Sequence, residues 1–336
     1  MTKQYQAYSL LPHNTFGIEA VAAEFVEFAS VEEVMAFFAK GHNGRSLVIG
    51  GGSNLLFVND FNGTVFHSSI NGMEVVEENE NELLLRVGSG VNWDELVDYT
   101  VRNGWGGLEN LSAIPGEVGA SAVQNVGAYG VEAGDLIVKV ETVRISDGVC
   151  QEFSHDDCQY AYRHSIFKTT EKGKHVITYV TYRLTKKPQF KLTYGNLAEK
   201  VEQLGGTTLE NVRKAVCEIR EAKLPSPDKV GSAGSFFMNP VVPASVANAL
   251  LGEYPSMPNY PLVCGDVKLS AGWLIEQCGW KNTPHEHVGV YQHQALVVIN
   301  RGGATGKEVL DFASAVVASV KEKFGVELNM EVNVIE

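Results

Sequence analysis

The stretch "RSLVIGGGSNLLF", residues 45–57, restricts the fold more than any other part of the chain. Two short apolar runs flank Gly50, Gly51 and Gly52, so the segment reads as strand, glycine turn, strand. A dinucleotide fold of the Rossmann type would instead lead from its glycine turn into a helix, and no G-x-G-x-x-G occurs in the sequence. The turn still offers consecutive backbone N–H groups with no side chains in the way, followed by the Ser53 hydroxyl and the Asn54 amide. Such a nest suits a pyrophosphate; a plain β-turn is the competing reading. Glycine numbers 34 in 336 residues, often in clusters, which suggests backbone that turns tightly or lies against a ligand.

Local signals organise the rest. Ser30 and Glu33 fit a capping box before a short helix that Gly41 can close. Asn92 caps a second helix whose Trp93, Leu96, Val97, Thr100 and Val101 share one face. Residues 104–130 carry too many glycines and small residues for an ordinary helix or strand. Strands are expected within 136–185, then a loop at "KKPQFKLTYGNLAEK", then a helix over 208–222 with Thr207 and Glu210 as its box. "KLPSPDK" reads as a domain boundary. Beyond it come the loop "GSAGSFFMNP" (231–240), helices near 243–252 and 270–280, strand "QALVVIN", and a helix from Thr305 to Phe324. The last segment alternates Leu328, Met330, Val332 and Val334 with Asn329, Glu331 and Asn333, as a strand would.

The length suggests two or three compact units. A net charge of -13, from 27 basic and 40 acidic residues, has the wrong sign for binding nucleic acid or an anionic membrane. The N-terminal residues lack the apolar core of a signal peptide, and no apolar run is long enough to span a bilayer, so the expectation is a soluble, cytoplasmic protein. Cys150, Cys158, Cys217, Cys264 and Cys278 are odd in number and scattered, which points to core thiols rather than disulfides or zinc ligands.

Several motifs have a bland explanation beside the chemical one. "GGATGK" (302–307) is one residue short of a phosphate loop, and Thr305 with Glu308 makes a capping box there. His285 and His287 would share a strand face, but no second ligand cluster accompanies them, so no metal is expected. In "YRHSIFK" (162–168), Arg163 either lies along the surface, the default reading, or reaches inward to an anion. Glu331 reads by itself as an exposed strand residue.

Six segments nonetheless agree on one family. "VIGGGSNLL" (48–56), "GLENLSAIPGEVGASAVQNVGAYG" (107–130), "YRHSIFK", "GSAGSFFMNP", "AGWLIEQCG" (271–279) and "MEVNVIE" (330–336) resemble the UDP-N-acetylenolpyruvoylglucosamine reductases. These are flavoenzymes that complete UDP-N-acetylmuramate for the bacterial cell wall. The resemblance implies an α/β fold with an FAD-binding region of the p-cresol methylhydroxylase and vanillyl-alcohol-oxidase type, at about 17–188, followed by a C-terminal α+β domain. One flavin subdomain would comprise 1–70 with 325–336, the second 71–224, and the substrate-binding domain 225–324. A loop at about 188–200, similar to that of type I members, would fold Tyr194 over the substrate.

The resemblance also implies the chemistry. NADPH reduces non-covalently bound FAD, and hydride passes to the terminal carbon of the enolpyruvyl ether. Arg163 would hold the substrate carboxylate, Glu331, if protonated or sharing a proton, would help carry the enolate-like intermediate, and Ser235 would protonate the carbon that bears the ether oxygen. Gly50, Gly51, Gly52, Ser53 and Asn54 would meet the FAD pyrophosphate, with Ser121, Asn125 and Gly127 on the flavin side. Tyr194, Lys223, Asn239, Tyr260 and Lys268 would bind the UDP-sugar. Met238 stands where many members have lysine. The enzyme is expected to act as a cytoplasmic monomer on UDP-N-acetylglucosamine enolpyruvate, with no nucleic-acid or membrane partner. Another FAD oxidoreductase on the same fold, or a non-catalytic nucleotide-sugar-binding module, are the alternatives.

Overall fold

The computed structural model describes residues 2–226, 229–283 and 285–336. The chain divides into two compact units, 1–8, 22–52 and 62–220 forming the first, and 9–21, 53–61 and 221–336 the second. Of the expected boundary "KLPSPDK", Pro227 and Asp228 lie outside the described residues.

In the first unit a four-stranded sheet runs in the order Lys3–Ser9, Val21–Phe28, Phe61–Ser68, Ser46–Ile49. The last two strands are parallel, with Ile49 opposite His67. A five-stranded antiparallel sheet follows, in the order Cys150–Ser154, Ile137–Arg144, His175–Thr185, Glu82–Gly88, Met73–Glu78. Phe28, Phe38, Phe66, Val143 and Val176 are buried together, joining the two sheets through helix Val31–Phe38. Against the five-stranded sheet, Leu85, Val140 and Val180 bury themselves with Trp93, Leu96 and Val97 of helix Trp93–Arg102.

That helix forms as its sequence requires. Asn92 Oδ1 accepts from the amides of Asp94 (2.9 Å) and Glu95 (3.2 Å), satisfying two of the helix's unpaired donors. All five residues expected on its inner face are buried. At the earlier helix the Ser30 hydroxyl accepts from the Glu33 amide, but the return bond comes from Ala29, whose amide donates to Glu33.

Four local expectations need correction. The glycine-rich stretch contains a helix, Val118–Gln124, ended by Asn125 at φ 46°. Its small residues serve packing, since a Cβ on Gly119 would lie 2.9 Å from Cβ of Ser89. The expected loop after 186 contains helix Leu197–Gln203, whose Leu197 and Val201 bury against Val212, Val216 and Ile219 of helix Leu209–Lys223. That second helix is capped by Thr208, not Thr207: its hydroxyl accepts from the Asn211 amide at 3.1 Å. Finally, the cysteines are not all core thiols, because Cys150 and Cys264 are exposed.

The second unit packs helices Ala244–Glu253, Ala271–Gln277 and Gly306–Phe324 with short sheets. One sheet runs Gly231–Ser232, Gln294–Asn300, Val288–Tyr291, and another Val241–Val242, Val267–Leu269, Asn259–Pro261. A parallel pair joins Leu55–Phe57 to the terminal strand Asn333–Ile335. The capping box expected at Thr305 and Glu308 is present in both directions, so "GGATGK" is a helix start. Gly306 is required there, because a Cβ would fall 1.8 Å from the carbonyl oxygen of Phe57. The terminal segment buries Leu328 and Val332 as the alternation implied, but only its last residues form a regular strand. His285 and His287 precede strand Val288–Tyr291 instead of sharing a face on it; His285 stacks on Trp280 and His287 pairs with Glu308 at 3.2 Å.

Candidate functional site

In the first unit the glycine turn rests on the segment that leads into helix Val118–Gln124. A Cβ on Gly50 would meet Glu117 Oε2 at 3.2 Å and Ala120 Cβ at 3.3 Å, and one on Gly51 would meet Gly116 Cα at 3.4 Å. Gly52 has φ +68°, a conformation side chains resist. Three residues without side chains, the first two packed closely on one side, leave backbone amides as the donors the turn can offer. That donor set fits a diphosphate.

Nearby lies a second constellation. Arg163, itself at φ 54°, turns inward and donates from Nη2 to the carbonyl of Gly127 at 2.8 Å. The default surface reading of Arg163 is thereby corrected. Lys168 braces this turn, its Nζ donating to the Arg163 carbonyl (3.0 Å) and to Gln124 (3.1 Å). Gly127 has no room for a side chain, since a Cβ would lie 2.9 Å from Glu132 Cγ and 3.0 Å from Arg163 Nη1.

Asn125 and Ser121, expected on the flavin side, are buried and engaged within the protein. Asn125 Nδ2 donates to Glu132 (2.7 Å) and to the Ala161 carbonyl (2.9 Å), while its Oδ1 accepts from Gly134 (2.8 Å). The Ser121 hydroxyl donates to Val118 O at 2.7 Å and lies 2.8 Å from the Tyr182 hydroxyl. Their side chains shape the backbone of this region.

Tyr194 is half exposed, with its ring edge-on to Tyr129 at 5.7 Å. Burial raises the Tyr129 phenol, with Arg220 opposing. Arg220 was not singled out from the sequence. Burial lowers its guanidinium below the ordinary range, although Tyr129, Cys217 and Asp94 act the other way, and its Nε donates to Ala113 O at 3.2 Å. The period of helix Leu209–Lys223 could have flagged it, one position after buried Ile219. Lys223 ends that helix, exposed.

The second unit holds Ser235 and Glu331 on adjoining backbones. Phe237 bridges Met330 in antiparallel fashion, Glu331 N donates to Phe236 O (2.8 Å) and Met238 N to Asn329 O (2.9 Å). Phe236 and Phe237 are buried, anchoring the loop, and Gly234 turns it at φ +70°. Asn54 is part of the same arrangement: its Nδ2 donates to Glu331 O at 3.2 Å, and its carbonyl accepts from the amide of Asn333 at 3.1 Å. Its amide therefore supports the Glu331 strand, a role the sequence did not suggest. Asn239 Oδ1 accepts from Ala271 N at 3.0 Å, and Tyr260 pairs across strands with Lys268, whose Nζ sits 5.9 Å from the ring centre.

Two known protein families match this chain. Residues 22–154 match the FAD binding domain family, and residues 226–335 match the UDP-N-acetylenolpyruvoylglucosamine reductase C-terminal domain. The chain is 51% identical over 331 residues to the UDP-N-acetylenolpyruvoylglucosamine reductase of Bacteroides fragilis, covering 98% of this chain and 99% of that one. Identity to the enzyme of the same name from Porphyromonas gingivalis is 47% over 336 residues, with 98% of each chain covered. The crystal structure of the reductase from Thermus caldophilus superposes with a TM-score of 0.69 at 22% identity, covering 100% and 99% of the two chains, which establishes a shared fold. The fold is thus the expected flavin-binding α/β architecture with a C-terminal domain, the protein is an FAD-dependent oxidoreductase of peptidoglycan synthesis, and the non-catalytic alternative falls away. The chain belongs to the UDP-N-acetylenolpyruvoylglucosamine reductase family.

Proposed function

We propose that this protein reduces UDP-N-acetylglucosamine enolpyruvate to UDP-N-acetylmuramate with NADPH as the reductant, acting as a monomer in the bacterial cytoplasm. The full-length identity to named reductases carries this reading. Among the described residues no helix is long and apolar enough to cross a membrane.

When bound, FAD supplies the two-electron hydride chemistry that links NADPH to the enolpyruvyl double bond. Gly50, Gly51, Gly52 and Ser53 would hold its diphosphate, and Gly127 with the backbone around Ser121 and Asn125 would hold its flavin end. Asn54 serves the same turn through its bonds to the terminal strand.

Reduction adds hydride to the terminal carbon and leaves negative charge on the carbon bearing the ether oxygen, delocalised into the substrate carboxylate. Arg163 holds that carboxylate with its forked donors; its fixed turn on Gly127 supports this role. Glu331 assists the charged intermediate and Ser235 delivers the proton, which completes saturation of the double bond. A serine hydroxyl is a weak acid, but a carbanion is a strong base, so no histidine is needed beside it. The registered backbones of residues 236–238 and 329–331 support the pairing of Ser235 with Glu331. Tyr194, Lys223, Asn239, Tyr260 and Lys268 bind the UDP-sugar.

Anaerobic stopped-flow tests the reading. NADPH should bleach the flavin absorbance, and the enolpyruvyl sugar nucleotide should restore it. Bleaching by NADPH without restoration by that substrate would refute the assignment.

A further inference from the structure

A carboxylate beneath a diphosphate site is an electrostatic anomaly. Glu117 occupies that position, 3.2 Å from where a Cβ of Gly50 would be and 3.7 Å from that of Gly51. Its partner is His67, whose Nε2 lies 3.1 and 3.2 Å from the two Glu117 oxygens. The other ring nitrogen, Nδ1, lies 3.4 Å from Glu27 Oε2. Both nitrogens therefore face groups that only accept hydrogen bonds. A neutral imidazole can donate to Glu117 but sets no charge against Glu27, which lies at ion-pair distance; an imidazolium donates to Glu117 and carries its positive charge between the two carboxylates.

We infer that His67 is an imidazolium that neutralises Glu117 beneath the glycine turn, making it a positioning residue that couples FAD binding to its own protonation. The inference rests on the reading that the FAD diphosphate sits at Gly50–Ser53.

The surroundings agree. His67 is buried, its ring packing 6.1 Å from Phe25. Burial opposes its charge, yet the hydrogen bonds and fields of Glu117 and Glu27 outweigh this and raise its pKa above 6.5. Glu27 also binds Lys3 at 2.5 Å, and Lys3 feels Glu33 and Tyr5 more distantly. Burial raises the Glu27 carboxyl, but Lys3 and His67 lower it more. Tyr8, raised by burial and by Glu27, completes the set. With His67 charged, Lys3, Glu27, His67 and Glu117 sum to zero. Loss of its proton leaves one net negative charge under a dianionic diphosphate.

The sign follows from the raised pKa. The imidazolium, and with it the tighter binding of FAD, is present on the acid side of the raised folded value and is lost as pH rises through it. Binding of FAD must also take up protons in that window.

The test measures FAD release from the full-length holoprotein on dilution, by flavin fluorescence, from roughly pH 6 to pH 9. The Kd should be flat at the acid end and weaken by about tenfold at the alkaline end, the order expected when one positive charge is lost beneath the diphosphate. Glu117→Gln should bind FAD at least as tightly as the wild type and lose the pH dependence. His67→Gln should bind weakly at every pH, and the double variant should recover affinity. A flat wild-type profile, or a slope that survives in Glu117→Gln, would overturn the inference while leaving FAD binding intact. Failure to bind FAD at any pH would instead count against the cofactor reading on which the inference rests.

Discussion

Replacing Gly127 by alanine tests whether catalysis depends on the fixed position of Arg163. The new methyl would lie 2.9 Å from Glu132 Cγ, 3.0 Å from Arg163 Nη1 and 3.1 Å from Val131 O. Carbon atoms pack best at about 3.5–4.0 Å, so Glu132 Cγ must retreat by roughly 0.6 Å, and Arg163 Nη1 and Val131 O by a few tenths of an ångström. Val131 O belongs to the paired strands Gly127–Ala128 and Val131–Glu132 and yields least. The guanidinium ends a long side chain and yields most. For folding, overpacking costs about 1–3 kcal/mol, and the stiffer unfolded chain returns about 0.4–1 kcal/mol. The net loss of about 0–2.5 kcal/mol amounts to several degrees in Tm for a protein of this size. Catalysis should suffer more, because displacement of a positioning group by about 1 Å can cost on the order of 10²-fold. In stopped-flow experiments, flavin reduction by NADPH should stay near normal while reoxidation by substrate slows by about 10- to 100-fold. A folded Gly127→Ala variant with an undisturbed second half-reaction would refute the argument that this contact holds Arg163 in place.

Ser235→Ala should likewise spare reduction by NADPH and slow reoxidation by substrate by on the order of 10² or more; equal slowing of both steps would mean a folding or cofactor defect instead. Gly306→Ala puts a methyl 1.8 Å from Phe57 O, a backbone atom with little freedom, and should lower stability by more than about 3 kcal/mol in urea titrations. A change within error would show that the helix start can slide. Asp94 is bound by Arg213 through two bonds of 2.7 and 2.9 Å and accepts from Ala113 N at 2.6 Å. Burial raises this carboxyl, but these partners lower it more, so its contribution is present above the unfolded value near pH 4 and lost as pH falls through the lower folded value. Urea midpoints of Asp94→Asn should fall less steeply than those of the wild type between roughly pH 5 and pH 2; equal slopes would exclude it as a source of acid sensitivity.

What the sequence by itself determined is local. Asn92 and Thr305 cap helices because their side chains reach amides two or three residues away, and the inner face of Trp93–Arg102 follows from the helical period. The glycine turn between strands, and the rejection of a phosphate loop at 302–307, needed nothing more distant. Motif resemblance added the family, since six ordered segments coincide only by descent. Tertiary structure decided the rest. Arg163 turns inward because Gly127, 36 positions earlier, accepts its hydrogen bond and has no side chain in its path. A helix survives in the glycine-rich stretch because its small residues fit against Ser89 and Tyr182, not because their propensity favours it. Asn54 meets the backbone of Glu331 across 277 positions, and His67 meets Glu117 across 50. Such contacts depend on where the strands carry each side chain, so no spacing rule encodes them. A hydrogen bond within a turn is dictated by geometry along the chain, whereas the charge that a buried histidine carries is set by the carboxylates that folding brings to its two nitrogens.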